Sequence, residues 1–352
     1  MVKKLSICIP VYNRKHVFRK CLESVCRASL GFSNEVEIVI SDNNSEDDLN
    51  SIVTETRNDY ESLNIVYNRN ETNIGPIRNV IEVVKHATGC YCWIIGSDDF
   101  IKYDGIKRVL DVINNHDDID FISTNFDRIN INKINYIDTK IESSGTEYQN
   151  IEEEINETSE TTDYMCMFDD LVDPKYNNVY LGAIMVGIFR KRLWNEFSTD
   201  NVYWDGFNSV ASIYPHAYIH AHVFIGRKAY YIGTPTITVG EGTREWTTDS
   251  GLKLWQTSVP LIHFKILGDM AVLYRINGLP RKQYRKCKND AAYRAGIIYL
   301  TLFIRFYITR KPIKDKIHYS FLRTSFFYFF TVGFHKGILK SILLRLKRKN
   351  IN

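Results

Sequence analysis

"YCWIIGSDDF", residues 91–100, is apolar for five residues and then stops, after a glycine and a serine, on two carboxylates. Tyr91, Trp93 and Ile95 alternate with Cys92 and Ile94, and both sets are apolar. A strand apolar on both faces is a strand covered on both faces, the habit of a central strand in a parallel sheet. Gly96 permits a turn, and Asp98 and Asp99 follow it at the carboxyl end of that strand, where open α/β sheets bind their ligands. Adjacent acids are also ordinary turn chemistry, so the neighbouring segments must decide between the two readings.

Those segments repeat the pattern. "LSICIPV" (5–11) reads as a first strand, ended by Pro10, and a helix follows from about His16 to Leu30. "VEIVISD" (36–42) is apolar on both faces and again ends on an acid, Asp42. A helix from about 47 to 59, a strand at 63–69 and a helix with apolar residues at 77, 80, 81 and 84 come next. After the quoted strand the chain predicts a further helix over 104–115. This β-α order argues a doubly wound α/β sheet. Beyond about 120 the rhythm changes. "DFISTNFDRININKINYID" alternates as antiparallel strands do, 141–163 is acidic and aperiodic, and "NNVYLGAIMVGIFRKRLW" resumes a strand, with a helix starting near Lys191. "AYYIGTPTITVGEG" reads as strands at the far edge.

Three features therefore fall at strand carboxyl ends: Pro10-Val11-Tyr12-Asn13, Asp42, and Ser97-Asp98-Asp99. A carboxylate there can accept hydrogen bonds from a base or ribose. Paired acids can hold Mg2+ or Mn2+, which favour oxygen ligands and share their shell with phosphate and water. No GxGxxG or GxxxxGK[ST] motif occurs, so neither a dinucleotide fingerprint nor a P-loop is supported.

"SICIPVYNR", "EIVISDNNSEDD", "NIGPIRNVIEVV" and "GCYCWIIGSDDF", in that order within 100 residues, resemble the N-terminal half of family 2 glycosyltransferases. The resemblance covers about 4–125 strongly and 180–245 loosely, and "WIIGSDD", "IYPH" and "TREW" look most like an abequosyltransferase-like branch that decorates bacterial surface polysaccharides. It implies an α/β fold of the GT-A type, with a mostly parallel sheet flanked by helices. It also implies sugar transfer from a nucleotide-activated donor, usually with inversion and with Mn2+ or Mg2+. By the resemblance Asp42 is the nucleobase-contacting acid and Asp99 the metal ligand, with Ser97 where a further acid often stands. Pro10, Tyr12, Asn13, Arg78 and Asp98 fall to the donor site. A GT-A-like module that binds a nucleotide sugar or glycan without turnover is the alternative.

An inverting transfer needs a base beside the acceptor hydroxyl. The Glu-Asp pair many family members carry at this point is absent, and Pro215-His216 stands about there. His216 is the candidate base, Asp205 the second candidate, and packing the competing role for His216. His216, His220 and His222 also have spacing that zinc would accept, but no fourth ligand accompanies them. In "VGEGTREW" (239–246), Arg244 is placed to pair with a diphosphate and Trp246 to stack on a sugar or pack the loop.

Charge is split along the chain. Residues 281–352 hold 18 Lys/Arg against two acids, whereas the first 280 hold 27 against 39, inside a net +4. A basic tail carrying "AGIIYLTLFIRFYI" and "YSFLRTSFFYFFTVGF", each shorter than a bilayer span, reads as interfacial helices on an anionic membrane surface. Its aromatics cluster in apolar runs rather than interleaving with bases, which argues against nucleic acid. At 44% hydrophobic with Pro 8 and Gly 19 the chain is globular. Seven scattered cysteines without a CxxC pair suit a reducing compartment, and the N-terminus reads as a strand and not as a signal peptide. The expected organisation is a nucleotide-sugar half at 1–125, an acceptor half at 126–250 and a helical membrane-associating region at 251–352. The expected location is peripheral, at the cytoplasmic face of the inner membrane, facing a nucleotide-sugar donor and a lipid-linked oligosaccharide acceptor.

Overall fold

The computed structural model describes residues 3–130, 160–176, 178, 180–199, 202, 209–241, 265–303, 328 and 330–349. Asp205, Arg244, Trp246, most of the acidic 141–163 stretch and most of the second aromatic run lie outside them. The chain divides into two compact units. One comprises residues 1–171, 175–204 and 211–243; the other comprises 172–174, 205–210 and 244–352.

The first unit is built on β1 (Leu5–Val11), α1 (Lys15–Ser29), β2 (Val36–Asp42), α2 (Leu49–Asp59), β3 (Ile65–Arg69), α3 (Pro76–His86), β4 (Tyr91–Ile94), β5 (Phe100–Ile101) and α4 (Gly105–Asn115). It continues with β6 (Phe121–Asn130), β7 (Tyr164–Met167), α5 (Phe168–Leu171), β8 (Gly187–Arg190), α6 (Lys191–Glu196), α7 (Val210–Ile213), α8 (Pro215–Val223) and β9 (Lys228–Glu241). All nine strands share one sheet in the order β3-β2-β1-β4-β8-β6-β9-β5, with β7 also pairing β9.

The expected parallel set is continuous: β3, β2, β1 and β4 all pair in parallel. Beyond β4 the sheet is mixed and not mostly parallel, because β8 enters antiparallel between β4 and β6. β9 is interior and not at the far edge: it pairs in parallel with β6 and antiparallel with β5 and β7. Pro10 does not end β1; it sits inside it, opposite Ser41. Every residue of β2 and β4 is buried, which is why their sequences are apolar on both faces.

Strand ends are fixed relative to one another by polar residues inside the unit. Glu37 of β2 is buried and accepts hydrogen bonds from Ser6 Oγ at 2.6 Å, Thr88 N at 2.5 Å, Thr88 Oγ1 at 2.9 Å and Gly89 N at 3.2 Å. One carboxylate thus joins β1, β2 and the entry to β4. Glu37→Ala strands those donors, and we expect it to destabilise the unit by about 3 kcal/mol, with Glu37→Gln losing less. Urea midpoints measure this; an alanine loss under about 1 kcal/mol would show that water replaces the carboxylate. At the opposite ends, Asn79 of α3 accepts from Ser41 Oγ at 2.7 Å and donates to Ser41 O at 2.9 Å.

The second unit contains α9 (Leu267–Ile276), α10 (Arg281–Phe303) and α11 (Val332–Lys349). Buried Ala292, Ala295, Tyr328 and Phe334 form its apolar contact. Gly296 lets α10 and α11 approach closely, since a Cβ there would lie 2.2 Å from Phe334 O. Among the described residues no helix is long and apolar enough to cross a membrane.

Candidate active site

The site begins with register. Val11 lies opposite Asp42 and Cys8 opposite Ile94, so β1, β2 and β4 deliver their carboxyl ends to one edge. The loops that follow are tied together. After β1, Asn13 and Arg14 both take left-handed backbone, φ 55° and 66°, uncommon for non-glycine residues and maintained only where the surroundings enforce it. They are enforced here. Asn13 N donates to Ser45 Oγ at 2.8 Å, Asn13 Oδ1 accepts from Glu46 N at 2.8 Å, and Asp47 Oδ2 accepts from Lys15 N at 2.9 Å.

Asp42 organises the next loop. Fully buried, it accepts from Ser45 N at 2.9 Å and from Tyr67 Oη at 2.6 Å, with Arg69 Nη1 at 3.4 Å. Burial and the Asp42 hydrogen bond push the Tyr67 phenol up, so Tyr67 remains a donor. Arg69 also donates to Asn44 Oδ1 and Ser45 O. Tyr67 and Arg69 were not singled out from the sequence. Strand register was the available signal: Ile40 faces Tyr67 and Asp42 faces Arg69, so a period of two puts Tyr67 and Arg69 on one face.

The paired acids lie in the turn between β4 and β5. Asp99 N closes it on Gly96 O at 3.2 Å, and Asp99 Oδ2 accepts from Gly96 N at 2.7 Å. Gly96 is what lets the carboxylates converge. A Cβ at position 96 would lie 2.8 Å from both Asp98 Oδ1 and Asp99 Oδ2. Burial, and then the charge of Asp98, push the Asp99 carboxyl well above its ordinary range. Asp98 is half-buried and meets Arg14 Nη1 at 3.0 Å. Neighbouring carboxylates are oxygen ligands of the kind a hard divalent cation takes, and its positive charge would offset what burial costs Asp99. Among the described residues no third His, Cys, Asp or Glu joins them, so diphosphate oxygens and water must complete such a shell. Tyr12 is exposed beside the tied loop and Pro10 is partly so; Arg78, on the first turns of α3, is exposed next to buried Asn79.

His216 is buried at the start of α8, with Nε2 3.1 Å from Gly182 O. That contact places the proton on Nε2, leaving the Nδ1 lone pair without a partner. Burial lowers its pKa to about 4. The His220 ring centroid is 5.9 Å away. His220 is enclosed by Phe121, Phe168, Phe189, Trp194 and Phe224, and neither of its ring nitrogens is hydrogen-bonded. Burial and then His216 hold it neutral. His222 is exposed and turns to Tyr218 O, so the three histidines do not form a zinc site.

Unfolded imidazoles take a proton near pH 6.5, whereas buried His216 refuses it until about 4. Stability is therefore complete above 6.5 and lost as pH falls toward 4, by about 3 kcal/mol for His216 alone. His220→Leu removes a second such group along with two unsatisfied nitrogens. We expect it to hold or gain stability at pH 7.5 and to lose less than the native chain at pH 5.0, read from urea midpoints. A drop of more than about 2 kcal/mol at pH 7.5 would mean that the ring shape, not its neutrality, is what the aromatic box needs.

Residues 6–173 match glycosyl transferase family 2. The chain is 29% identical over 245 residues to the abequosyltransferase RfbV of Salmonella typhimurium, a stretch that is 66% of this chain and 65% of that protein. It thus spans less than two thirds of that relative's length. In fold it is similar to residues 1–349 of Staphylococcus aureus TarS, with a TM-score of 0.59 at 15% identity over 92% of this chain and 81% of that one. It is also similar to the mannosyltransferase PcManGT of Pyrobaculum calidifontis in complex with GDP-Man and Mn2+, with a TM-score of 0.51 at 12% identity over 97% and 88%. The mixed sheet with flanking helices is accordingly an α/β fold of the GT-A type. The match runs through all three strand ends that carry Asp42, Asp98 and Asp99, so the part of the chain that builds these strand ends is similar to glycosyl transferase family 2.

Proposed function

We propose that this chain transfers a sugar, with inversion, from a nucleotide-activated donor to a lipid-linked glycan in the synthesis of a bacterial surface polysaccharide. The observation that carries the reading is the convergence of Asp98 Oδ1 and Asp99 Oδ2 over Gly96, one strand from the tied loops of Asn13 and Asp42. Asp99 would hold Mg2+ or Mn2+, which supplies positive charge to a departing diphosphate. Asp42 fixes the loop against which a nucleobase would lie; Arg69, at 3.4 Å its longest contact and partly exposed, is the partner a base can displace. Tyr12, Pro10, Asn13 and Arg78 serve the donor in this reading, Arg244 would pair with its diphosphate and Trp246 stack on a sugar, and His216 or Asp205 takes the acceptor proton. The organisation into donor half, acceptor half and tail belongs to the same proposal.

The decisive experiment is a thermal-shift series of nucleotide sugars with and without Mn2+, followed by mass spectrometry of lipid-linked oligosaccharide incubated with whichever donors stabilise the fold. Stabilisation by a donor with Mn2+ and a product heavier by one sugar support transfer. Stabilisation without product supports a non-catalytic module, and no shift with any donor overturns both.

The tail supports a peripheral place at the cytoplasmic face of the inner membrane. On α11, Val332, Leu339 and Ile342 are exposed alongside Lys336 and Lys340, apolar area flanked by cations as anionic interfaces require. Flotation with phosphatidylglycerol vesicles but not phosphatidylcholine, weakened by salt, is the expected behaviour; equal binding to neither would remove the membrane from the proposal.

A further inference from the structure

Arg14 follows β1 in the left-handed region, φ 66° and ψ 37°, at the N-cap of α1. Asn13 before it has the same hand. A backbone so turned sends the Arg14 side chain across to the β4–β5 turn, 84 residues on in sequence. There Nη1 lies 3.0 Å from Asp98 Oδ2, the two side chains being 15% and 20% exposed. A pair this sheltered is screened little by solvent, and guanidinium stays charged at every working pH.

The consequence lies in the charge of the cradle over Gly96. Without Arg14 it would present two carboxylates to a cation; with it, one of the two negative charges is already answered. We infer that Arg14 is a positioning residue that holds Asp98 as an internal counter-ion, leaves Asp99 as the cation's protein ligand, and so makes cation capture depend on the diphosphate of the donor. This rests on the strand-end acids being the donor site. Its chemical reason is general: a site offering one carboxylate binds Mn2+ weakly by itself and needs phosphate oxygens to complete the shell. The charge of Arg14 also opposes part of the shift that burial imposes on the Asp99 carboxyl.

The test is Mn2+ affinity of the full chain, from the electron paramagnetic resonance of free Mn2+, without nucleotide. Arg14→Met removes the Arg14 charge from Asp98 and is expected to bind Mn2+ alone about tenfold more tightly than the native chain, because ligand charge sets affinity at such sites. Arg14→Lys, which retains the charge without the fork, should fall between them. In an Asp98→Asn background the Arg14→Met gain should vanish. Damage to the fold would weaken binding, so a tightening cannot arise that way. An Arg14→Met affinity equal to or weaker than native, with Arg14→Lys likewise unchanged, overturns the inference. Should UDP, GDP and CDP all fail to raise native Mn2+ affinity while Arg14→Met still gains its tenfold, the donor-site reading falls together with the dependence on diphosphate, and only the hold of Arg14 on Asp98 stands.

Discussion

Asp99→Asn is expected to lower sugar transfer by on the order of a thousandfold while the folded state holds or gains stability. The two halves of that expectation have one cause. Asp99 is buried in a turn where desolvation and the charge of Asp98 disfavour its ionised form. An amide in its place is isosteric, and its oxygen can still accept the hydrogen bond that Gly96 N donates at 2.7 Å. The carboxylate also takes a backbone hydrogen bond from Gly240, so an amide trades some of that bonding against the unfavourable buried charge it sheds. A divalent cation held by Asp99, as proposed, would lose that ligand, since an amide oxygen carries no charge with which to hold it beside a diphosphate. Turnover by mass spectrometry and Tm without metal give the two readings. Transfer at the native rate in Asp99→Asn would show that Asp99 is not the metal ligand. A Tm lowered by several degrees would show that the carboxylate is a structural part of the turn. Asp99→Ala is the poorer test, because it also orphans Gly96 N–H, at a cost of about 1–3 kcal/mol.

The segments read most directly from sequence are those whose physics is local. β1, β2 and β4 are apolar on both faces because helices and neighbouring strands cover both, and a run of such residues ending on an acid survives any choice of register. β8 was legible as a strand but not as the one that separates β4 from β6. It is four residues long, and nothing in four residues names partners nearly 70 and 100 positions away. β9 reads as an edge because Gly233 and Pro235 interrupt it, yet three strands pair with it along different stretches of its length. At the site, carboxylates were found because a strand end makes an acid conspicuous. Arg14 was not, since an arginine after a strand is ordinarily solvated, and the left-handed turn that aims it at Asp98 comes from bonds between Asn13 and the β2–α2 loop. Asp42 was placed correctly at a strand end, but its present partners are Tyr67 and Ser45, and that depends on the β2–β3 register rather than on composition.

His216→Gln should lower turnover by on the order of a hundredfold with little change in nucleotide binding, if His216 is the base of the proposed transfer. The position supports the role because no Glu-Asp pair stands near it in the sequence. The structure adds orientation. Nε2 faces Gly182 O at 3.1 Å, which directs the lone pair to Nδ1, a buried nitrogen with no hydrogen-bond partner. Glutamine keeps a donor for Gly182 O but has no basic nitrogen, so it separates the proton-accepting role from the orienting contact. Burial also fixes what the pH profile should look like. An imidazole lowered to about 4 is already deprotonated at pH 5.5, so turnover should stay nearly flat from pH 5.5 to 8, without the fall near 6.5 that a solvated histidine would give. The same low pKa weakens the drive for proton transfer, which is why the expected loss is a hundredfold and not more. Near-native turnover in His216→Gln and His216→Ala, with a lowered Tm in the latter, would make His216 a packing residue beside His220. Asp205→Asn then decides the assignment: a large loss of turnover there, with none at 216, moves the base to Asp205.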